Sequence, residues 1–156
     1  TGNNRLSATD YYQLADSPLM ASPRLQHREY PIGETLFHIW IEGNMVPDWE
    51  RIIQDFSLFS ATQVKTMGEF PEKDYHFLCM VLPTPYYHGV EHRNSTMLVL
   101  GPDTQDEEIY HDLLGVSSHE LFHAWLKCFL MISQKKTISP PVLWRKAVRL
   151  TTVIYS

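Results

Sequence analysis

SSHELFHAW, Ser117 to Trp125, sets two histidines four residues apart with a glutamate directly after the first. On an α-helix, positions i and i+4 share one face, about 40° apart and about 6 Å along the axis. Two imidazoles so placed can converge on one zinc ion at about 2.0–2.1 Å. Glu120 lies one step round the helix from His119, beside such an ion rather than on it. A carboxylate there can take the proton of a zinc-activated water as that water attacks a carbonyl. The five letters alone leave two readings level, because eight histidines in 156 residues make a chance pair easy to meet. One is a zinc-peptidase helix, the other a surface helix with two solvated histidines.

The residues leading in favour a helix. DTQDEE, 103–108, puts acidic groups where a helix N-terminus favours them. Ile109, Leu113, Val116 and Leu121 then recur at helical spacing, with Gly115 a mild interruption. Leu121, Phe122 and Trp125 can bury the faces that the ligands do not use.

Working back from this helix, TMLVLG, 96–101, reads as a strand ended by Gly101 and Pro102. PTPYYHG reads as a loop and MGEFPEKD as a turn region, with YHFLCMVL, Tyr75–Leu82, a buried strand between them. VPDWERIIQDFSLFS reads as a helix opened by Pro47 and Asp48, with Trp49, Ile52, Ile53, Phe56 and Phe59 on its apolar face. ETLFHIWIEG alternates as a strand does. Residues 1–34, rich in Pro, Ser and polar groups, read as a linker or an extended edge.

A hydrophobic share of 44% and a charged share of 20% are those of a globular domain. A net charge of −5, with no basic stripe between the aromatics, gives no reason to expect nucleic acid. Two cysteines, Cys79 and Cys128, exclude a disulfide framework. No apolar run approaches the roughly 20 residues of a membrane span. The polar start TGNNRLSATD lacks a signal-peptide core and reads as an internal segment, so any targeting region is expected upstream.

HGVEHRNST, 88–96, taken by itself is a loop with a solvated charge; His88 and His92 as metal ligands is the weaker alternative, since a strand splays its side chains apart. Together, YYQLADSPLMASP, DYHFL, HGVEHRNST and YHDLLGVSSHELFHAW resemble the glycyl aminopeptidase family of zinc metallopeptidases, in family order, over roughly residues 10–125. That family lies in the thermolysin-like gluzincin clan. The resemblance implies an α+β fold, the upper lobe of a thermolysin-like zincin domain, with a small twisted sheet packed on the HExxH helix. It implies that His119 and His123 bind one Zn2+ and that Glu120 is the general base. By similarity, Gly89, Val90 and Glu91 lie on the edge strand that holds the peptide, and Glu91 meets the substrate's free amine. The expected partner is therefore a peptide with a free N-terminus. Residues 1–20 would leave a β-sandwich domain, residues 21–125 would be part of the catalytic domain, and the full-length protein would carry β-sandwich and PDZ domains.

After HAW the chain departs from the family, which continues with Asn-Val-Lys-Arg and later a Glu-Gly-x-Thr-x-Tyr-Tyr segment whose glutamate is the third ligand. This chain has no Asp or Glu after Glu120. Two histidines hold zinc poorly compared with three protein ligands. Three readings follow: an aminopeptidase-type zinc peptidase present as a truncated piece, a catalytically dead lobe or binding module, or an endopeptidase of the same clan. Glu91 argues against the last, since an endopeptidase captures no free amine.

Residues 126–156 are expected to be an aberrant tail, translated out of frame. Met131 ends in G and Ile132 begins with AT, which forces GAT, aspartate, in the shifted frame. From Arg145 to Tyr155 that frame permits Glu-Gly-x-Thr-Thr-Tyr-Tyr-Gly-Asp-Leu, the family's third-ligand segment. Sequencing the gene is expected to find GAA across the Arg145–Lys146 junction; any other triplet there makes the tail native.

Overall fold

The computed structural model describes residues 7–104 and 107–135, with the backbone alone for 127–135. Its elements are α1 (Tyr11–Ala15), β1 (Gln26–Ile32), β2 (Thr35–Glu42), α2 (Trp49–Met67), β3 (Asp74–Val81), β4 (Tyr86–Glu91), β5 (Ser95–Gly101) and α3 (Glu107–Lys135). The strands form one mixed sheet in the order β1-β2-β3-β5-β4, parallel at its centre and antiparallel at both edges. The α+β class expected from the sequence is the class observed. Among the described residues, no helix is long and apolar enough to cross a membrane.

Alternation decides which face of the sheet is covered. Phe37, Ile39 and Ile41 of β2 pair in register with Tyr75, Phe77 and Cys79 of β3, and Cys79 and Val81 pair with Leu98 and Leu100 of β5. All of these are buried and share one core with Ile52 and Phe56 of α2 and Leu113, Val116 and Leu121 of α3. Fully burying a side chain of this size stabilises by about 1.5–3 kcal/mol. The opposite face carries Leu36, His38, Trp40, His76, Leu78, Met80, Met97 and Val99, each half-buried. YHFLCMVL is thus fully buried on one face only, which its near-continuous apolar run does not announce.

One stretch differs from the sequence reading, and in the first 34 residues the extended-edge alternative is found, with a helix added. PTPYYHG is a loop only as far as Pro85; from Tyr86 it is strand β4, antiparallel to β5. Residues 1–34 contain an edge strand, β1, as well as the short helix α1. Pro31 sits in β1 because an edge strand can spare an N–H from the ladder. The third-ligand segment expected near residues 145–155 lies outside the described residues; α3 itself continues past Trp125 to Lys135.

The long helix α2 starts where Asp48 accepts a hydrogen bond from Arg51 N at 3.1 Å, and Gly68, at φ +100°, ends it. Replacing an N-cap Asp by Ala costs about 1 kcal/mol. Asp48→Ala is therefore expected to lower the unfolding free energy by that amount, read as a lower urea midpoint at unchanged slope, while Asp48→Asn stays close to wild type.

Candidate metal and catalytic site

Helix α3 turns a buried stripe to the sheet: Leu113, Val116, Glu120 and Ala124 follow one another at spacings of three and four, with Ser117 beside them. Glu120 is the charged member of that stripe and is only 6% exposed. His119 and His123 flank it on the solvent side. Their Nε2 atoms are 3.0 Å apart, with the ring planes at 72°. Two nitrogens bound tetrahedrally at 2.0–2.1 Å stand about 3.3–3.4 Å apart, so the pair fits two corners of a zinc site. Among the described residues, no third His, Cys, Asp or Glu converges on the pair.

Neighbouring elements hold this turn of α3 in place. Gln63 of α2 donates from Nε2 to Ser118 O at 2.8 Å and to Ser118 Oγ at 2.9 Å, one residue before His119. Trp125 donates from Nε1 to Glu69 O at 3.2 Å and sets its ring edge-on to Phe70. The rotation of α3 that directs Glu120 toward the sheet and the histidines away from it is thereby fixed at both ends of HELFH.

Opposite Glu120 runs β4. A Cβ on Gly89 would stand 2.5 Å from Glu120 Oε1 and 2.7 Å from its Cγ. Only a hydrogen fits there, so the glycine that reads as a loop signal is a close-approach position. Tyr87, Gly89 and Glu91 pair with Leu100, Leu98 and Thr96, all buried, which puts these three on the helix-facing side of the sheet. His88 and Val90 therefore face the other way. His92, just beyond β4, has Asp16 Oδ1 3.2 Å from its Nδ1.

Burial pushes the Glu120 carboxyl above the ordinary carboxylate range. His123 and His119 oppose that rise, Glu91 adds to it and His88 opposes it. Glu120 Oε2 is buried with no hydrogen-bond partner. The hydroxyl of Tyr75 on β3 is buried and likewise without one. Burial raises the Tyr75 pKa, and the nearby charges of Glu120 and Glu91 raise it further. The charges of Glu91 and Glu120 thus both act on the Tyr75 hydroxyl, and the two histidines act on Glu120. Tyr75 escaped the sequence reading because a tyrosine opening an apolar strand looks like core. Glu120 was detectable twice, from the motif and as a lone acid in an apolar stripe.

No family model and no curated protein matches the sequence. Solved structures do match. An aminopeptidase N family protein from Idiomarina loihiensis superposes with a TM-score of 0.58 and 31% identity, over 65% of this chain and 18% of that one. An M1 zinc metallopeptidase from Deinococcus radiodurans gives a TM-score of 0.42 and 17% identity, over 65% of this chain and 22% of that one. A two-domain M1 zinc metallopeptidase bound to L-arginine gives 0.40 and 18%, with the same coverage. The chain spans about a fifth of the length of these proteins. Its five-stranded sheet and helices match an aminopeptidase N-like domain.

Gly89→Ala is expected to cost about 1–3 kcal/mol by overpacking. The cost should shrink by more than half in a Glu120→Ala background, because the two atoms that collide are then no longer both present. Denaturant unfolding of the four proteins of this cycle measures the coupling; an additive result contradicts the contact.

Proposed function

We propose that the chain is part of a zinc-dependent aminopeptidase, with residues 21–125 as a piece of its catalytic domain and residues 1–20 as the linker from a β-sandwich. His119 and His123 supply two metal ligands, Glu120 acts as general base, and the Gly89–Glu91 edge receives the peptide. One observation carries this reading: two imidazole Nε2 atoms 3.0 Å apart border a buried glutamate that a glycine of the edge strand leaves room for. The fold likeness to an aminopeptidase N family protein supports it.

Zinc, when bound, supplies Lewis-acid polarisation and a lower pKa for water at the histidine pair. The chain's own residues do the rest. Glu120, with its carboxyl raised by burial, is a better proton acceptor than an ordinary glutamate and can hold a proton at Oε1 or Oε2 for return to a leaving amine. The exposed edge of β4 offers backbone groups to an extended peptide, which fixes the distance of the first peptide bond from Glu120. Glu91 meets the free α-amine in a charge-assisted contact, so only N-termini are accepted. Free-amine capture also disfavours an endopeptidase.

The alternative reading, a catalytically dead lobe or binding module, draws on a specific observation: among the described residues no third ligand reaches the histidine pair. In the leading reading that ligand, with β-sandwich and PDZ domains, belongs to the full-length enzyme.

In the full-length enzyme, Glu120→Gln is expected to lower kcat on an amino-acid anilide by about 10²–10⁴-fold with zinc content unchanged. Glu91→Gln is expected to raise KM for free-amine substrates, again with zinc retained. Loss of zinc in Glu91→Gln makes Glu91 a ligand instead. Normal turnover in Glu120→Gln removes the peptidase reading altogether.

A further inference from the structure

The helix-free face of the sheet carries a second cluster of metal-ligating side chains, far from HELFH in sequence and on the other side of the strands. His27 and Glu29 on β1 and His38 on β2 each offer one ligand atom, and the three atoms lie within 4.8 Å of one another. The register explains the meeting: Glu29 pairs with His38 and His27 with Trp40, so His27, Glu29 and His38 all stand on one face. His27 Nε2 is 3.1 Å from His38 Nδ1, and His38 Nδ1 is 3.4 Å from Glu29 Oε2. Both spacings approach the 3.3–3.4 Å edge of a tetrahedron about zinc, on the order set by 2.0–2.1 Å bonds.

The protons of His38 sharpen the point. Its Nε2 lies 3.5 Å from Asp74 Oδ1, so the tautomer with its N–H on Nε2 can direct that proton at this carboxylate. In that tautomer Nδ1 turns a lone pair toward the side where Glu29 Oε2 and His27 Nε2 stand, and all three atoms are free to ligate. A metal ion placed there would be met by three donor atoms, one from each side chain. A carboxylate behind a histidine is also the usual second support of a metal ligand, since it fixes the tautomer and the ring orientation.

The rings are held before any ion arrives. His27 stacks on Trp40 with centroids 3.8 Å apart, and His38 stacks on His76 at 4.4 Å. Trp40 donates from Nε1 to His76 Nδ1 at 3.3 Å, which locks the far side of both stacks. Such locking reduces the ordering cost of binding. We propose that His27, Glu29 and His38 form a binding site for a divalent transition-metal ion of the zinc class, backed by Asp74, that clamps edge strand β1 to β2. Two imidazoles and a carboxylate suit zinc, nickel and copper rather than calcium or magnesium. This site does not depend on the peptidase reading.

The test uses the full chain with the helix pair silenced by His119→Ala and His123→Ala, titrated with Ni2+ or Zn2+ alone by calorimetry. One equivalent is expected to bind and to raise the Tm of that protein. Adding His27→Gln or His38→Ala is expected to abolish uptake, and Glu29→Gln to weaken it. Asp74→Asn, which touches no ion, is expected to weaken it about 10–100-fold, the usual effect of losing a carboxylate behind a ligating histidine. Should His38→Ala fail to fold by circular dichroism, His27→Gln and the exposed Glu29→Gln decide the matter. No uptake in the silenced background overturns the site. Uptake unchanged by both His27→Gln and Glu29→Gln overturns it equally.

Discussion

Phe77, in the middle of β3, is the contact on which the rest of the structure depends. Its ring meets Phe56 edge-on at 5.1 Å and Phe59 at 6.2 Å, and it also touches the rings of Phe37 and Tyr75. Through the two phenylalanines α2 is seated on the centre of the sheet. Two turns further along α2, Gln63 reaches α3 and holds Ser118 by backbone and side chain together. The angular position of His119 and Glu120 is thus inherited from an aromatic core that contains no catalytic group. Tyr30, whose hydroxyl meets Ser60 at 2.9 Å, ties the outer strand β1 to the same helix.

The parts legible in the sequence were those whose period is carried by large apolar residues. Ile52 and Phe56 in α2, and Leu113 and Val116 in α3, repeat at helical spacing and are buried where that spacing puts them. The histidine pair follows from the same periodicity. Strand β4 was not legible from its own residues: Pro83, Pro85 and Gly89 signal a loop, and Tyr86 and Tyr87 remain half-exposed, so no apolar alternation marks it. Only the family likeness of HGVEH pointed to an edge strand. The His27, Glu29 and His38 cluster was hidden for another reason. It exists only once the β1–β2 register is known, and β1, with its charges and Pro31, reads as linker or extended edge with no register of its own.

The two faces of the sheet do different work. The helix-covered face is dry and aromatic, and the polar groups it buries include Glu120, which faces β4, and the Tyr75 hydroxyl. A buried carboxylate with an unpartnered oxygen is costly, and such a group persists where surrounding structure over-determines its position. The open face mixes imidazoles with Leu78, Met80, Met97 and Val99, all half-buried. Its central strands run parallel, an arrangement that in other proteins is covered on both sides. Cys79, facing the dry side, has its thiol pushed up to about 12 by burial, so it behaves as a small apolar residue and stays outside the chemistry of either face.

The close approach of Gly89 to Glu120 also governs how β4 can pair. An edge strand of tyrosine, histidine and valine has little in its own pattern to hold its alignment, and such strands slip. A slip that keeps the same side facing the helix must move by two residues, bringing Tyr87 or Glu91 beneath Glu120. Neither can enter a space in which a lone Cβ stands 2.5 Å from a carboxylate oxygen. The glycine therefore acts as a keyway: it admits one alignment of the outermost strand and rejects both neighbours. A missing side chain, rather than a favourable contact, decides which backbone groups the sheet presents along its rim.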